Sequence, residues 1–133
     1  MATNETVANS NGIILRFNSD SSSNYSTTYL YGNGSSAAST RETNRTSVGL
    51  GWLLAPDSTN LTAIYNVSIM NYSNTTTYKT VLNRGNNAAQ AAEANVSLWR
   101  DTAAINSITI RTSSAGNDLN TGTVLTLYGI QAA

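Results

Sequence analysis

Ser97-Leu98-Trp99-Arg100-Asp101-Thr102-Ala103-Ala104-Ile105-Asn106-Ser107-Ile108-Thr109-Ile110, answered later by Leu125-Thr126-Leu127-Tyr128-Gly129-Ile130, decides the fold class. Each stretch is short, rich in β-branched and aromatic residues, and bounded by turn formers, which is the pattern of β-strands. Upstream, Ala92, Ala94, Val96 and Leu98 alternate with Glu93, Asn95 and Ser97, so a strand is predicted from Ala92 to Trp99. The run Ala88–Ala94 has good helix propensity, but it offers no large apolar residue to bury and is too short to stand alone.

Working outward, Ile13, Leu15 and Phe17 share one face of a first strand, and Tyr25, Tyr29 and Tyr31 one side of a second. Gly32-Asn33-Gly34 ends that strand, because glycine and asparagine tolerate positive φ. Residues 35–47 are small and polar and predict a long loop. Val48–Leu54 carries Trp52; Pro56-Asp57-Ser58 marks a turn. Leu61–Tyr72 is the longest predicted strand, with Ala63, Tyr65, Val67 and Ile69 on one face and Ile64 and Met70 on the other, as for an inner strand covered on both sides. Tyr78–Leu82, Ile105–Arg111 and Thr123–Ile130 complete the set, with turns at 83–87 and 117–122. Seven to eight strands at this spacing predict an all-β antiparallel sandwich, jelly-roll-like, over residues 13–133, preceded by a polar arm at 1–12. Phe17, Val67, Ile69, Trp99, Ile108 and Tyr128 are the expected structural core, with Tyr128 packed inward or at a subunit contact.

Composition narrows the function. The chain has 133 residues, enough for one domain, and a formal net charge of zero. No basic patch favours nucleic acid. Asn, Ser and Thr supply 54 residues, so the surface is polar but barely charged. Cysteine and histidine are absent, which removes thiolate and imidazole ligands and the usual general base. The seven carboxylates (Glu5, Asp20, Glu42, Asp57, Glu93, Asp101 and Asp118) are scattered, and no phosphate-binding loop or calcium-loop spacing occurs. Neither catalytic nor metal-ligating residues nor a cofactor are expected. No apolar run reaches the length of a membrane span, and Met1–Thr6 lacks the basic and apolar regions of a secretory signal. Nine Asn-x-Ser/Thr sequons follow from the composition alone. Tyr25, Tyr29 and Tyr31, with Trp52, form a candidate sugar-stacking platform, and Arg41 and Arg45 candidate partner contacts from the predicted loop.

A series of short motifs comes in order: Asn18-Ser19-Asp20 with Ser23-Asn24-Tyr25; Leu30-Tyr31-Gly32-Asn33-Gly34-Ser35-Ser36; Ile69-Met70-Asn71-Tyr72 with Tyr78-Lys79-Thr80-Val81; Leu98-Trp99 with Ala103-Ala104-Ile105-Asn106-Ser107-Ile108; and Gly122-Thr123 with Leu125-Thr126-Leu127-Tyr128-Gly129-Ile130. Over about residues 13–130 the chain thereby resembles a β-rich domain at the C-termini of tailed-bacteriophage virion proteins, among them fibre, tail and other structural components. The resemblance implies a non-enzymatic particle component on the virion exterior. Its partners would be the major capsid protein or tail and fibre components, and its expected state a homotrimer. A decoration or cement protein suits a chain this small; the alternative is a receptor-binding fibre tip that recognises host glycans. Relatives usually carry a further strand or two ahead of the segment matching Ile13, so the expectation is either a fold that starts later or an open edge there, completed by the N-terminal arm or a neighbouring subunit.

Overall fold

The computed structural model describes residues 11–53, 63–86, 91–113, 119 and 121–130; for Asn11, Trp52 and Leu53 only the backbone is described. Eight strands follow one another: β1 (Asn11–Phe17), β2 (Tyr25–Gly32), β3 (Ala37–Arg45), β4 (Val48–Leu53), β5 (Ile64–Ile69), β6 (Lys79–Asn86), β7 (Ala92–Trp99) and β8 (Ile108–Thr112). They build two antiparallel sheets, β4-β1-β8 and β3-β2-β7-β6-β5. The protein is an all-β sandwich, with no helix among the described residues.

Asparagine chemistry shapes the connections. Asn18 (φ 51°) and Ser19 (φ 59°) turn the chain after β1. The Asn18 side chain accepts the amides of Asn106 and Ser107 at 2.8 and 3.2 Å and donates to the Ala104 carbonyl at 2.8 Å, pinning the segment before β8. Asn33 Oδ1 accepts the amides of Ser35 and Ser36, and Asn74 Oδ1 those of Thr76 and Thr77. These side chains stand in for backbone carbonyls and fix the turns.

Between the sheets lies a core of Leu15, Phe17, Tyr25, Val48, Leu50, Val81 and Trp99, flanked by half-buried Ile13, Tyr65, Val67, Ile69, Ile105, Ile108 and Ile110. The Phe17 and Trp99 rings lie 5.3 Å apart, and Tyr25 stacks on Trp99 at 6.2 Å. Phe17 and Trp99 are therefore core residues as expected, while Val67, Ile69 and Ile108 pack at its margin.

Several expectations are corrected. Residues 37–45 form a strand rather than a loop, because a ladder onto β2, from Tyr25↔Arg45 to Gly32↔Ala37, satisfies their backbone whatever the side chains. As an edge strand, β3 keeps most of those polar side chains in water. β5 spans Ile64–Ile69 and, among the described strands, is an edge strand with one half-buried face, not an inner strand. β6 continues through Asn83-Arg84-Gly85, where composition suggests a turn. Thr123–Ile130 belongs to no strand, and Tyr128 is exposed, so it is not a core residue of this chain. β1 lies between β4 and β8, so among the described strands the edges of its sheet are those of β4 and β8, not its own. Residues 1–10 of the predicted arm and the turn at Pro56–Ser58 fall outside the described residues.

Candidate functional site

β7 reverses the usual alternation. Glu93, Asn95, Ser97 and Trp99 face inward, while Ala92, Ala94 and Val96 face out and Leu98 is half exposed. The inward polar groups need partners, and a bulge in the opposite sheet supplies one. Ile13 pairs with Gly51 and Ile14 with Gly49, leaving Leu50 as the extra residue of β4. Its carbonyl accepts the side-chain amides of both Asn83 and Asn95, the latter at 2.9 Å. Asn86 donates to Glu93 at 2.9 Å. Gly51, at φ 149°, sits where any Cβ would meet the Glu93 carboxylate and the Tyr65 ring. This interior network ties β4 to β6 and β7 and serves structure.

The consequence appears on the other side of the sheet. β7's outward residues meet those of its neighbours in two rows: Arg41–Thr28–Val96–Leu82–Ser68 and Ser39–Leu30–Ala94–Arg84–Asn66. Leu82 and Val96 are exposed side by side, Leu30 and Ala94 flank them, and Leu98 lies along the same strand. Arg41 and Arg84 stand at opposite sides of this apolar band, both exposed. Two shallow depressions mark the face. One of about 180 Å³ is lined by Ser26, Thr28, Arg41, Thr80 and Val96; another of about 330 Å³ by Leu30, Tyr31, Ala37, Ala92 and Ala94. A flat, nearly uncharged apolar surface of this kind suits docking against another protein surface.

The sequence-predicted contact residues scatter. Tyr25 is wholly buried; its hydroxyl accepts the Phe17 amide at 3.2 Å and donates toward the Asp20 carbonyl at 3.2 Å. Tyr29 is also buried, donating to Glu42 at 3.3 Å. Burial pushes both hydroxyls up to about 12. Neither can serve as a sugar platform, because inward positions on β2 reward large apolar rings with burial. Tyr31 is half-buried at the rim of the larger depression. Arg41 is exposed at the edge of the apolar band; Arg45 is exposed and paired with Glu42 at 3.3 Å. The side chain of Trp52 lies outside the described residues. Leu30, Leu82, Arg84 and Val96 escape sequence reasoning. Their signal was the β7 alternation, whose apolar half would ordinarily be assigned to the core.

Asp20 links the loop after β1 to the core. It accepts the Trp99 indole N–H at 2.8 Å, the Ser22 amide at 2.8 Å and the Asn24 side chain at 3.2 Å. Burial disfavours its charge, but these donors outweigh that cost and hold the carboxyl below its ordinary value. It serves as a structural acceptor for these three donors. No cluster of three or more acidic residues able to hold a metal ion occurs among the described residues. No protein-family model, curated protein or solved structure matches the chain.

Proposed function

We propose that this chain is a non-enzymatic virion surface protein, a capsid decoration or cement protein that docks through the open face of its five-stranded sheet. The ordered phage-like motifs point to a particle component. The observation that carries the docking mode is the contiguous exposed band of Leu30, Leu82, Ala94 and Val96 between Arg41 and Arg84. Strands supply a rigid block, and removal of that band from water against the shell would supply the driving force, less the entropy lost on docking. An interface of standard size, roughly 1,600 Å² in total, holds such a protein without a covalent bond, and several copies on one symmetric site would add avidity. Because the band carries few charges, attachment should survive 1 M salt.

Purified particles mixed with wild-type protein or with the Val96→Lys variant test this directly. Co-sedimentation of the wild type in high salt, and its loss in the variant at unchanged thermal stability, supports docking through this face. Equal binding by both, or release by salt, removes it. Copy number then separates the two virion roles: hundreds per particle fit decoration, a few dozen or fewer a fibre tip. The fibre-tip alternative draws on a different observation. Tyr72 and Tyr78, exposed on the connection from β5 to β6, present aromatic rings that could stack on host glycans.

A further inference from the structure

The segment Val124–Ile130 is the most conspicuous unsolved surface of the molecule. Val124, Leu125, Leu127, Tyr128 and Ile130 are 69–86 % exposed in a stretch that lies outside both sheets. Five large apolar side chains in seven residues oppose solvation strongly. The composition is that of a strand, and no charge or proline occurs from Leu119 to Ala133 to discourage pairing. Laid out at period two, Val124, Tyr128 and Ile130 take one face and Leu125 and Leu127 the other. A strand apolar on both faces belongs where both faces are covered.

A receiving edge is present. The β4-β1-β8 sheet is two strands narrower than the sheet it packs on, and β8 is one of its edges. Ile108 and Ile110 on β8 are only half-buried, as are Val67 and Ile69 on β5. The Ile105 amide donates to the Tyr72 carbonyl at 2.7 Å, so the chain entering β8 lies against the chain leaving β5. An added strand beside β8 would extend the narrow sheet and cover that margin. Of the other edge strands, β3 carries Arg41, Glu42 and Arg45, which guard it.

We propose that Val124–Ile130 of one copy adds as a strand to β8 of a second copy, along the edge that no described strand pairs with. Pairing with its own β8 would bury one face of the segment against its own core and leave the other in water. A second copy brings both an edge and a body to cover the outer face. The ten residues 113–122 can span up to roughly 33 Å, enough to reach a neighbour. Reciprocal exchange closes a symmetric dimer, and the same contact repeated around an axis closes a ring. This inference stands apart from the virion proposal and does not rest on it.

The chain has no native cysteine, so single-cysteine chains report the contact cleanly. Thr109→Cys on β8 and Thr126→Cys in the segment both replace exposed residues. On mixing and mild oxidation the Thr109→Cys and Thr126→Cys chains should form a disulfide heterodimer in preference to either homodimer. In sedimentation, the full wild-type chain should associate, and Leu127→Asp should weaken that association at least about tenfold with unchanged circular dichroism. Bridging confined within single chains of the doubly substituted protein would overturn the inference. So would a wild-type chain that stays monomeric at about 100 μM.

Discussion

The inner face of β7 holds two halves that solve the same problem differently. At one half, Trp99 joins Phe17 and Tyr25 in an aromatic cluster, each ring no more than 1 % exposed. At the other, Asn95 and Asn83 converge on one carbonyl released by the Leu50 bulge, with Asn86 and Glu93 alongside. The aromatic half draws stability from area removed from water. The polar half gains little net free energy per bond but fixes how β4 sits on β6 and β7, because a slip would strand those amides without acceptors. The side-chain oxygens of Asn83 and Asn95 are buried without a hydrogen-bond partner, a desolvation cost that offsets part of what their amides gain.

The largest test removes the aromatic half. Trp99→Ala should cost about 3–5 kcal/mol in denaturant unfolding, since it opens a cavity and strips Asp20 of its indole donor. Trp99→Phe keeps the ring and should lose about 1.5–3 kcal/mol, chiefly the charge-assisted bond. The polar half should respond cooperatively. Asn83→Ala or Asn95→Ala alone leaves Leu50 one donor and should cost about 1 kcal/mol; the double variant orphans the carbonyl and should exceed the sum by about 1 kcal/mol. Strict additivity in that cycle would break the contrast between the halves.

Protons sharpen it further. Asp20 has a folded pKa below its ordinary 3.8, so its stabilising contribution is present above that value and is lost as pH falls through the lowered pKa. Tyr25 and Tyr65 are both raised by burial from 10 to about 12. Their neutral forms stabilise the fold fully below pH 10, and that stability is lost as pH rises toward 12. Acid unfolding should therefore weaken in an Asp20→Asn variant, whose side-chain carbonyl can still accept the Trp99 indole N–H but does not take up a proton in this range. Melting curves at stepped pH read both limbs. The smallest stability effect is expected outside the core altogether. Leu82→Lys and Val96→Lys, on the exposed face, should change unfolding by no more than about 0.5 kcal/mol.

Much of the fold was legible where size and period agree. β7 runs from Ala92 to Trp99 as its alternation predicts, and Phe17 and Trp99 are buried as strand-closing aromatics should be. What failed has particular causes. β3 was hidden because an edge strand needs only backbone pairing, and its polar side chains imitate a loop. The tyrosines of β2 misled because a ring fit for stacking on sugar is equally fit for a core. The facing of β7 was hidden because its polar residues turn inward to a carbonyl freed by a bulge on a strand some forty residues earlier in the chain, a partnership that local pattern does not encode. The exposed band followed from that reversal and was missed with it.

Lys79 is the one lysine in the sequence, and it is completely enclosed, its ammonium donating to the carbonyls of Thr77 at 2.8 Å and Thr102 at 3.1 Å. The folded body thus offers reagents no side-chain primary amine. Succinimidyl dyes, glutaraldehyde and amine-directed crosslinkers will pass over residues 11–130 wherever the fold is intact, and labelling at that lysine becomes a direct gauge of opening.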